Sequence, residues 1–439
     1  MASLFSALTV AVGGLTAQSD ALGNISDNLS NAQTTGFKSI GTRFESLVTL
    51  SNAASNDPGG VRATPSYQND VQGNLVQSQT ATSLAITGQG FFAVEPATQN
   101  ADGTTNFAGN IVYTRQGDFT LDKNGYIVNG SGYYLNGYNV SSAGVVNTST
   151  TTPIQVSALL NRPVASTQAS YVGNLPSSVA TGFTSTPSTV LMYDALGNTH
   201  DMTYTWSKVT AGQWNLAVDV AGGGGTQSTD YAATVPFTFN SSTNIGTIAS
   251  IGTGTGYTVP NNSNTTENKA QVQFNLNFAG FGAGTQAITL NFGDYNSPNG
   301  LTQFSGTNVS VSSFSQDGLP QGSFTNLSID QNGFVSLNYN NGSLKTIAQI
   351  PIVQFFAQDQ LQRGSGGVYS ATLASGTPRY SSPGASGAGT IVSNSLESSN
   401  VDIATQFTNL IQAQQIYSAN AKTITTVNNM LDTIVKTIR

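Results

Sequence analysis

The sequence predicts a mainly β protein whose two ends are α-helices with coiled-coil patterning. Apolar residues recur every seven positions at each end of the 439-residue chain. Short alternating apolar and polar runs, punctuated by Gly, Asn and Asp, fill the middle. We therefore expect a discontinuous multidomain protein with coiled-coil termini, an inner β domain, and an outer β domain of barrel-like or sandwich-like form inserted into it.

The amino-terminal helix is predicted over residues 1–32. Its seam consists of leucines at seven-residue intervals, namely Leu8, Leu15, Leu22 and Leu29, which is the spacing of one coiled-coil heptad position. Gly13 and Gly14 each lower helix propensity by about 1 kcal/mol. No basic residue precedes Lys38 and the heptad pattern continues unbroken, so we interpret the segment as retained structure rather than a cleaved signal peptide.

The carboxy-terminal helix is predicted over residues 398–439. Six apolar residues follow the same period, namely Ile403, Leu410, Tyr417, Ile424, Leu431 and Ile438. Other positions of this seam are polar, including Gln414 and Asn428, so we expect neither terminal helix to be stable on its own.

Two interpretations of these seams are open. Amphipathic helices most often pack on the protein's own core. The alternative is self-association, because residues 1–37 carry only Asp20 and Asp27 as charged groups and are otherwise rich in Ser, Thr, Asn, Gln and Ala. An uncharged outer face suits a helix that is covered by neighbouring copies, and we favour this second interpretation.

Two related turns occur on either side of the centre of the chain. Asp122-Lys-Asn-Gly125 and Asp330-Gln-Asn-Gly333 each separate short alternating runs, which is typical of hairpins. Their similarity predicts one β domain assembled from two distant segments.

The resulting partition has four parts. Residues 1–32 and 398–439 form the helical domain, and 33–70 form a linker. The inner β domain takes 71–145 and 314–397, and the outer β domain takes 146–313. Within the outer domain the candidate strands are Val190–Tyr193, Met202–Trp206, Trp214–Val220 and Ala287–Phe292.

Composition excludes several classes of function. The net charge is −7, and only 8% of residues are charged, so the clustered cations that bind nucleic acid or anionic membranes are missing. No apolar stretch is long enough for a transmembrane helix. The sequence has no Cys and only one His, His200, which removes nearly every thiolate or imidazole metal site. We expect no metal, no cofactor and no enzymatic activity.

Apparent chemical motifs have simpler interpretations. Gly88-Gln-Gly90-Phe-Phe-Ala93 fits a dinucleotide fingerprint, but it leads into a strand rather than a helix. Asp118, Asp122 and Asn124 with Gly125 resemble the start of a calcium loop, but no Glu occupies the twelfth position. We interpret them as a turn that uses Asn and Gly at positive φ.

Acid and imidazole gather only at Asp194, His200 and Asp201, where we expect a turn capped by Asp194 rather than a catalytic group. The tyrosines at 126, 133, 134 and 138 are predicted to form packing surface, although a sugar-binding platform stays open as an alternative.

The turn after the first helix carries the most specific pattern. The residues Asn28-Leu-Ser-Asn31-Ala-Gln-Thr34-Thr-Gly36-Phe37-Lys38 resemble the signature of the bacterial flagellar rod and hook axial proteins. Asn31 and Gly36 suit a helix exit that needs a left-handed residue. Residues 86–94, 113–126 and 412–422 are similar to further parts of this family. Gln415 departs from it, because the family has Arg there.

The resemblance implies a role in assembly. It implies a subunit exported through the flagellar type III apparatus that polymerises outside the cell into a hollow tube. Rod, hook cap and hook–filament junction proteins are its implied partners. Because about 170 residues are inserted between the two inner β segments, the hook is favoured over the distal rod. A secreted β-rich adhesin or glycan hydrolase is the alternative from another class, although it leaves the terminal heptads unexplained.

Overall fold

The structure is a computed structural model that describes residues 2–51, 56–99, 105–141, 143–156, 160–260 and 268–437. Helix α1 (Ala2–Ser30) begins the chain and helix α2 (Ile403–Thr437) ends it. Ile438, the last predicted seam residue, lies outside the described residues. Among those that are described, neither helix combines the length and apolarity needed to cross a membrane. The predicted class, mainly β with a helix at each end, is confirmed.

Between the helices, the described residues form β-strands joined by turns and loops, with two short 3-10 helices at Ala279–Phe281 and Gln358–Gln360. The strands, in chain order, are β1 (Ile40–Ser51), β2 (Asn56–Tyr67), β3 (Leu75–Gln77), β4 (Leu84–Thr87), β5 (Phe91–Gln99), β6 (Thr105–Phe107), β7 (Val112–Thr114), β8 (Thr120–Leu121), β9 (Ile127–Val128), β10 (Tyr133–Val140), β11 (Val146–Pro153), β12 (Leu160–Asn161), β13 (Gln168–Asn174), β14 (Ser188–Tyr193), β15 (Thr199–Thr210), β16 (Gln213–Val220), β17 (Tyr231–Phe239), β18 (Ile248–Ile251), β19 (Tyr257–Thr258), β20 (Lys269–Asn277), β21 (Thr285–Asp294), β22 (Leu301–Thr302), β23 (Ser310–Gln316), β24 (Gly322–Ile329), β25 (Phe334–Tyr339), β26 (Leu344–Gln349), β27 (Ile352–Gln354), β28 (Gln362–Arg363), β29 (Val368–Ser370), β30 (Arg379–Ser381), β31 (Thr390–Ser393) and β32 (Ser395–Glu397).

The chain forms two compact units. The first contains Met1–Ser157, Asn326–Leu337 and Leu344–Arg439, and the second contains Ala158–Thr325 and Asn338–Ser343. These limits differ from the predicted insertion at 146–313. Strand β11, predicted in the outer domain, pairs with β10 of the first unit. Strand β23 crosses the predicted boundary at 313/314 and pairs with β13 of the second unit.

Strands β1 and β2 form a long hairpin within residues 33–70, where the sequence predicts a linker. Strand β1 pairs antiparallel with β2 from Ile40 opposite Tyr67 onwards. The hairpin lies along α1, since a Cβ atom built on Gly13 would be 3.6 Å from the carbonyl oxygen of Val61. Phe44 and Val48 on β1 favour a strand, and the prediction of a linker is wrong over these residues.

The first unit is built on one antiparallel sheet. Its central order is β26-β10-β5-β7-β29-β28, and its buried cluster is Phe91, Ala93, Tyr113, Val353, Phe355, Leu361 and Tyr369. The two predicted turns are confirmed as equivalents. The Oδ1 of Asp122 accepts from the N–H groups of Asn124 and Tyr126, and that of Asp330 accepts from those of Asn332 and Phe334.

The second unit is the sandwich-like form of the predicted outer domain. Strands β14 to β18 form one antiparallel sheet in sequence order, and β19-β20-β21-β13-β22 form another, with β23 added on β13. One core joins the two sheets, in which Trp206 Nε1 on β15 donates to the hydroxyl of Tyr171 on β13 at 3.1 Å. All four candidate strands of the sequence analysis lie within β14, β15, β16 and β21.

Candidate self-assembly site

The two terminal helices pack side by side and run in opposite directions. Near one end, Asn28 Nδ2 donates to Gln406 Oε1 at 3.3 Å. Two heptads earlier on α1, a Cβ atom built on Gly14 would lie 2.7 Å from Nδ2 of Asn420, which is two heptads later on α2. The helices therefore keep one antiparallel register over this length, as coiled-coil partners do.

Small residues form the buried face of α1. Its buried residues are Ala11, Gly14, Ala17, Ala21, Ile25 and Asn28. The predicted seam leucines, Leu8, Leu15, Leu22 and Leu29, are each only half-buried. A face made mostly of Ala and Gly lets two helices approach closely, and the half-buried leucines then lie at the edge of the contact. A contact of these leucines with other copies stays a prediction.

Helix α2 buries little of its predicted seam. Leu410, Ile424 and Leu431 are half-buried, whereas Ile403 is 46% exposed and Tyr417 is 42% exposed. The buried positions are Ala413 and Val427. The pair of helices within one chain thus uses only part of the apolar surface of α2.

The remaining apolar surface of α2 lies on two flanks. At about 100° per residue, Phe407 and Ile411 are roughly 120–160° from Ala413 in one direction, while Ile416, Met430 and Ile434 are roughly 60–100° from it in the other. Phe407 and Ile411 are 49% and 53% exposed, and Ile416 and Met430 are 47% and 50% exposed. Residues 403–437 contain only three charged residues, Lys422, Asp432 and Lys436. These two flanks have the composition of a surface that another chain covers.

The turn after α1 is held as the sequence predicts. Asn31 Nδ2 donates to the carbonyl oxygen of Asp27 at 2.9 Å, and the hydroxyl of Thr34 donates to Asn31 Oδ1 at 3.2 Å. Gly36 has the expected left-handed conformation, with φ of +68°. A Cβ atom there would lie 2.7 Å from the carbonyl carbon of Arg115. Only glycine therefore meets both demands at this position.

Aromatic and polar groups complete this turn. The guanidinium of Arg363 lies 4.7 Å from the ring centroid of buried Phe37, a distance typical of a cation–π contact. Asn28 is buried and bonds both backbone groups of Ile40, donating to its carbonyl oxygen at 2.8 Å and accepting from its N–H at 2.8 Å. Asn28 thereby joins the end of α1 to the start of the hairpin.

A buried cluster of three charged residues lies next to the turn that follows α1. Glu397 Oε1 is 2.6 Å from Lys38 Nζ, and Glu397 Oε2 is 3.0 Å from Arg115 Nη1. All three side chains are at most 1% exposed. We call these residues the Lys38–Arg115–Glu397 cluster. It joins the exit from α1, the inner sheet and the strand that precedes α2.

Backbone groups neutralise part of the remaining polarity of this cluster. Lys38 Nζ also donates to the carbonyl oxygen of Val71 at 2.6 Å, and Glu397 Oε1 also accepts from the N–H of Gly73 at 2.8 Å. Burial lowers the pKa of Lys38 from its ordinary value, and the neighbouring carboxylate of Glu397 opposes this shift. Lys38, Arg115 and Glu397 belong to three different segments of the chain. Because both cations pair with the one carboxylate, the cluster is suited to holding these segments together.

No pattern in the sequence predicts a role for Glu397. Lys38 and Arg115 both lie in segments that resemble the axial family, whereas their carboxylate partner Glu397 lies outside those segments. The low charge of the chain gives one clue to Glu397. Carboxylates are few in this sequence, and this one lies directly before the predicted start of α2 at residue 398. Gln415, the departure from the family pattern, is exposed on α2.

The other candidate motifs serve local structure. The carbonyl oxygen of Gly88 accepts from Arg115 Nη2 at 2.6 Å, and β5 follows this loop as expected. Asp194 Oδ1 accepts from the N–H groups of Leu196 and Asn198, which confirms the capped turn. Tyr126 and Tyr134 pack edge to face at 5.8 Å between ring centroids, as predicted for packing surface.

His200 is buried beside the capped turn. Its Nε2 lies 3.2 Å from Asp194 Oδ2, and its ring stacks on Phe278 at 3.9 Å. Asp201, the third member of this group, is exposed on β15. The three residues therefore do not converge on one site.

Comparisons with known families cover most of the chain. The matching family models are Flagellar basal body rod protein over residues 8–38, Flagellar hook protein FlgE/F/G D1 domain over 85–162, Flagellar basal body protein FlaE D2 domain over 162–319, and Flagellar basal body rod FlgEFG protein C-terminal over 392–437. Helical ends, inner sheet and inserted β unit thus each have a counterpart in the axial proteins of the bacterial flagellum, which is the class to which the chain belongs.

Full-length relatives narrow this class to one family. The flagellar hook protein FlgE of Rhizobium meliloti is 32% identical over 443 residues, covering 99% of each chain. That of Brucella abortus is 30% identical over 438 residues, again covering 99% of each. That of Salmonella typhimurium is 28% identical over 438 residues, covering 97% of this chain and 98% of the relative. The chain belongs to the flagellar hook protein FlgE family.

Proposed function

We propose that the protein is the structural subunit of a bacterial flagellar hook, a curved hollow tube that transmits torque from rod to filament. The observation that carries this proposal is its similarity to hook proteins over practically the whole length of both chains. We assign it no catalytic role, since these relatives are named as hook proteins.

The terminal helices supply the contacts between copies in this proposal. A subunit in the wall of a tube has a neighbour on each side. The two exposed flanks of α2, one with Phe407 and Ile411 and one with Ile416 and Met430, meet that requirement. The half-buried leucines of α1 would be covered in the same way. Because such contacts join different surfaces of identical copies, they propagate into a helical polymer.

A groove beside the helices adds a receiving surface. It has a volume of about 440 Å³ and lies between α1, α2 and the hairpin, with Ile25, Phe44, Ala413 and Ile416 in its lining. Phe44 is 45% exposed there. In the assembled tube we expect apolar side chains of a neighbouring copy to fill this groove and remove the exposed apolar area from water.

Bending of the tube is assigned to the second unit. This unit has its own core of two packed sheets, so contacts between copies at its surface can rearrange while the unit stays folded. The helix contacts would hold the wall of the tube during this movement. Such a division of roles gives a flexible joint with a continuous bore.

The proposed location is the flagellar hook outside the cell. The rod, the hook cap and the hook–filament junction proteins are the proposed partners, and the type III export apparatus is the proposed route. Helices that gain stability only beside other copies suit a chain that is exported unfolded, because their ordering is then coupled to assembly.

Electron microscopy of the concentrated purified protein tests the proposal. We expect curved tubes from the full chain and none from a variant that lacks residues 1–30. The two tryptophans, Trp206 and Trp214, lie in the second unit, so unchanged tryptophan fluorescence would show that this unit of the truncated variant still folds. Straight tubes would favour a distal rod protein instead. Absence of any polymer from the full chain at high concentration would overturn the proposal.

A further inference from the structure

Two large apolar side chains of the first unit are completely exposed. Phe356 is 98% exposed and Leu373 is 103% exposed. Among the residues whose burial is described, the next large apolar side chain is Val145 at 65%. Single exposed apolar residues are common on protein surfaces, but full exposure of both a Phe and a Leu in neighbouring loops leaves unusually much apolar area in water.

Hydrogen bonds hold these two loops together. The N–H of Ala357, directly after Phe356, donates to the carbonyl oxygen of Ser375 at 3.2 Å. The turn with Leu373 is closed by Thr372 and Ser375, since the N–H of Thr372 donates to Ser375 Oγ at 2.9 Å and the N–H of Ser375 donates to Thr372 Oγ1 at 3.1 Å. Ser375 itself is fully buried. We call this feature the Phe356–Leu373 loop pair.

The backbone below Phe356 is equally fixed. The preceding residue, Phe355, is buried in the cluster of the first unit, where its ring lies 4.8 Å from that of Tyr113. The hydroxyl of Thr372 also donates to the carbonyl oxygen of Gln360 at 2.7 Å. Phe356 therefore projects from an anchored backbone, which reduces the entropy cost of binding its side chain.

The two loop segments themselves carry no charged residue, although Asp359, Arg363 and Arg379 flank them. Residues 364–378 and residues 351–358 contain no Asp, Glu, Lys or Arg. A partner surface over the two loops therefore gains mainly by covering apolar side chains. These features are typical of the centre of a contact rather than of its polar rim.

The size of the loop pair indicates what kind of partner covers it. Two side chains bury far less than the roughly 1,000 Å² that a separate stable complex needs. A contact this small adds affinity only where another interface already holds the partner close, because the local concentration is then high. Under the proposed function, the terminal helices provide such an interface between identical copies.

We propose that the Phe356–Leu373 loop pair is a contact between copies, in which both side chains insert into the surface of a second copy of this chain. The inference rests on the proposed function and extends it from the helices to the inner sheet domain. The loop pair contributes after the helices have brought two copies together, and it fixes the position of one inner domain against the next.

Paired serine substitutions test this contact. The variant with Phe356→Ser and Leu373→Ser should raise the protein concentration needed for tube formation by about tenfold or more, as loss of a central apolar contact does. Its thermal unfolding as a monomer should match that of the wild type, because both side chains are already exposed. The matched control carries Val145→Ser and Leu344→Ser, which are 65% and 63% exposed; it should leave the concentration for assembly unchanged.

A photo-crosslinking experiment locates the partner. With benzoylphenylalanine in place of Phe356, irradiation should join separate copies in assembled tubes but not in dilute monomer. Equal assembly of the variant and the control, or crosslinks only within one chain, would overturn the inference. If the wild type forms tubes that depend on residues 1–30, such a result removes this inference alone. If the wild type forms no tubes, the proposed function fails and this inference fails with it.

Discussion

Lys38 Nζ and Glu397 Oε1 lie 2.6 Å apart, although 359 residues separate them along the chain. Both side chains are fully buried, and Arg115 approaches the other carboxylate oxygen at 3.0 Å. Burying charged groups costs a large desolvation free energy, so this cluster adds little stability compared with apolar residues of the same shape. Removing one member is different, because it leaves the others without their partner.

Glu397→Gln should therefore destabilise the first unit by about 3–5 kcal/mol. The substitution keeps the shape of the side chain but leaves the two cations of Lys38 and Arg115 buried without a counter-charge. Thermal unfolding followed by far-ultraviolet circular dichroism measures the effect. Tryptophan fluorescence, which comes from the second unit, serves as the internal reference and should not change.

The matched control for this substitution is Glu45→Gln. Glu45 forms an exposed ion pair with Arg62, whose side chains are 44% and 63% exposed respectively. Exposed pairs contribute about 0–1 kcal/mol. An equal loss of stability in the two variants would contradict the conclusion that the Lys38–Arg115–Glu397 cluster joins the exit from α1 to the inner sheet and to the strand before α2.

Asn28→Ala should destabilise the first unit by about 1–3 kcal/mol. The substitution removes the hydrogen-bond partner of both backbone groups of Ile40 and the bond to Gln406. Asn24→Ala on the same helix is the control, since it removes one bond, to Thr42 Oγ1, and should cost about 1 kcal/mol. Urea unfolding of the two variants should separate them clearly, and equal midpoints would argue against a special role of Asn28.

Gly14→Ala and Gly23→Ala compare the same substitution at two positions of α1. A Cβ atom on Gly14 would lie 2.7 Å from Asn420 Nδ2, whereas one on Gly23 meets nothing within 4 Å. Gly23→Ala should stabilise the helix by about 0.5–1 kcal/mol. Gly14→Ala should be less stable than Gly23→Ala by about 1 kcal/mol or more, because the side chain of Asn420 must shift to make room for the added methyl group. Circular dichroism melting curves measure this difference, and its absence would refute close contact at Gly14.

Alkaline pH should destabilise the second unit. Burial raises the pKa of Tyr295 to about 12, from an ordinary value of 10.0. The unfolded chain therefore loses this proton at a lower pH than the folded chain, so the stabilisation is complete below pH 10 and declines as the pH rises towards 12. Urea midpoints from tryptophan fluorescence should fall over this interval. Tyr295→Phe should fall less steeply, while Tyr417→Phe, on α2, should behave as the wild type does.

The sequence predicts those parts of the fold that depend on local pattern. The heptads of Leu8 to Leu29 and Ile403 to Leu431 predict both helices, because seven-residue spacing places side chains on one face. The turns at Asp122 and Asp330 are predictable for a similar reason, since an Asx residue bonds the backbone a few positions away.

The hairpin of β1 and β2 is the main error of the sequence-based prediction, and the composition of β2 explains it. Pro58, Gly59, Gly60 and Pro65 in β2 suggest a linker. What makes the segment extended is its contact with α1 near Val61 and its pairing with β1, and local propensity does not reveal either partner.

The helix contact shows a second limit of pattern analysis. Periodicity draws attention to large apolar residues such as Leu15 and Leu22, whereas the buried stripe consists of residues such as Gly14 and Ala21. Two helices approach closely only where the side chains between them are small. The pairing of Lys38 with Glu397 was unpredictable for another reason, because no local rule relates residues so distant in the chain.

The junction at Glu397 also affects how this architecture can vary. The polypeptide leaves the helical end beside Lys38 and returns to it beside Glu397, so departure and return meet at a single point. The residues between Lys38 and Glu397 therefore form a connection whose two ends are fixed next to the paired helices α1 and α2. The body between these two points can therefore differ in length or form only beyond β1, β2 and Arg115, because these contact α1 or Glu397 themselves.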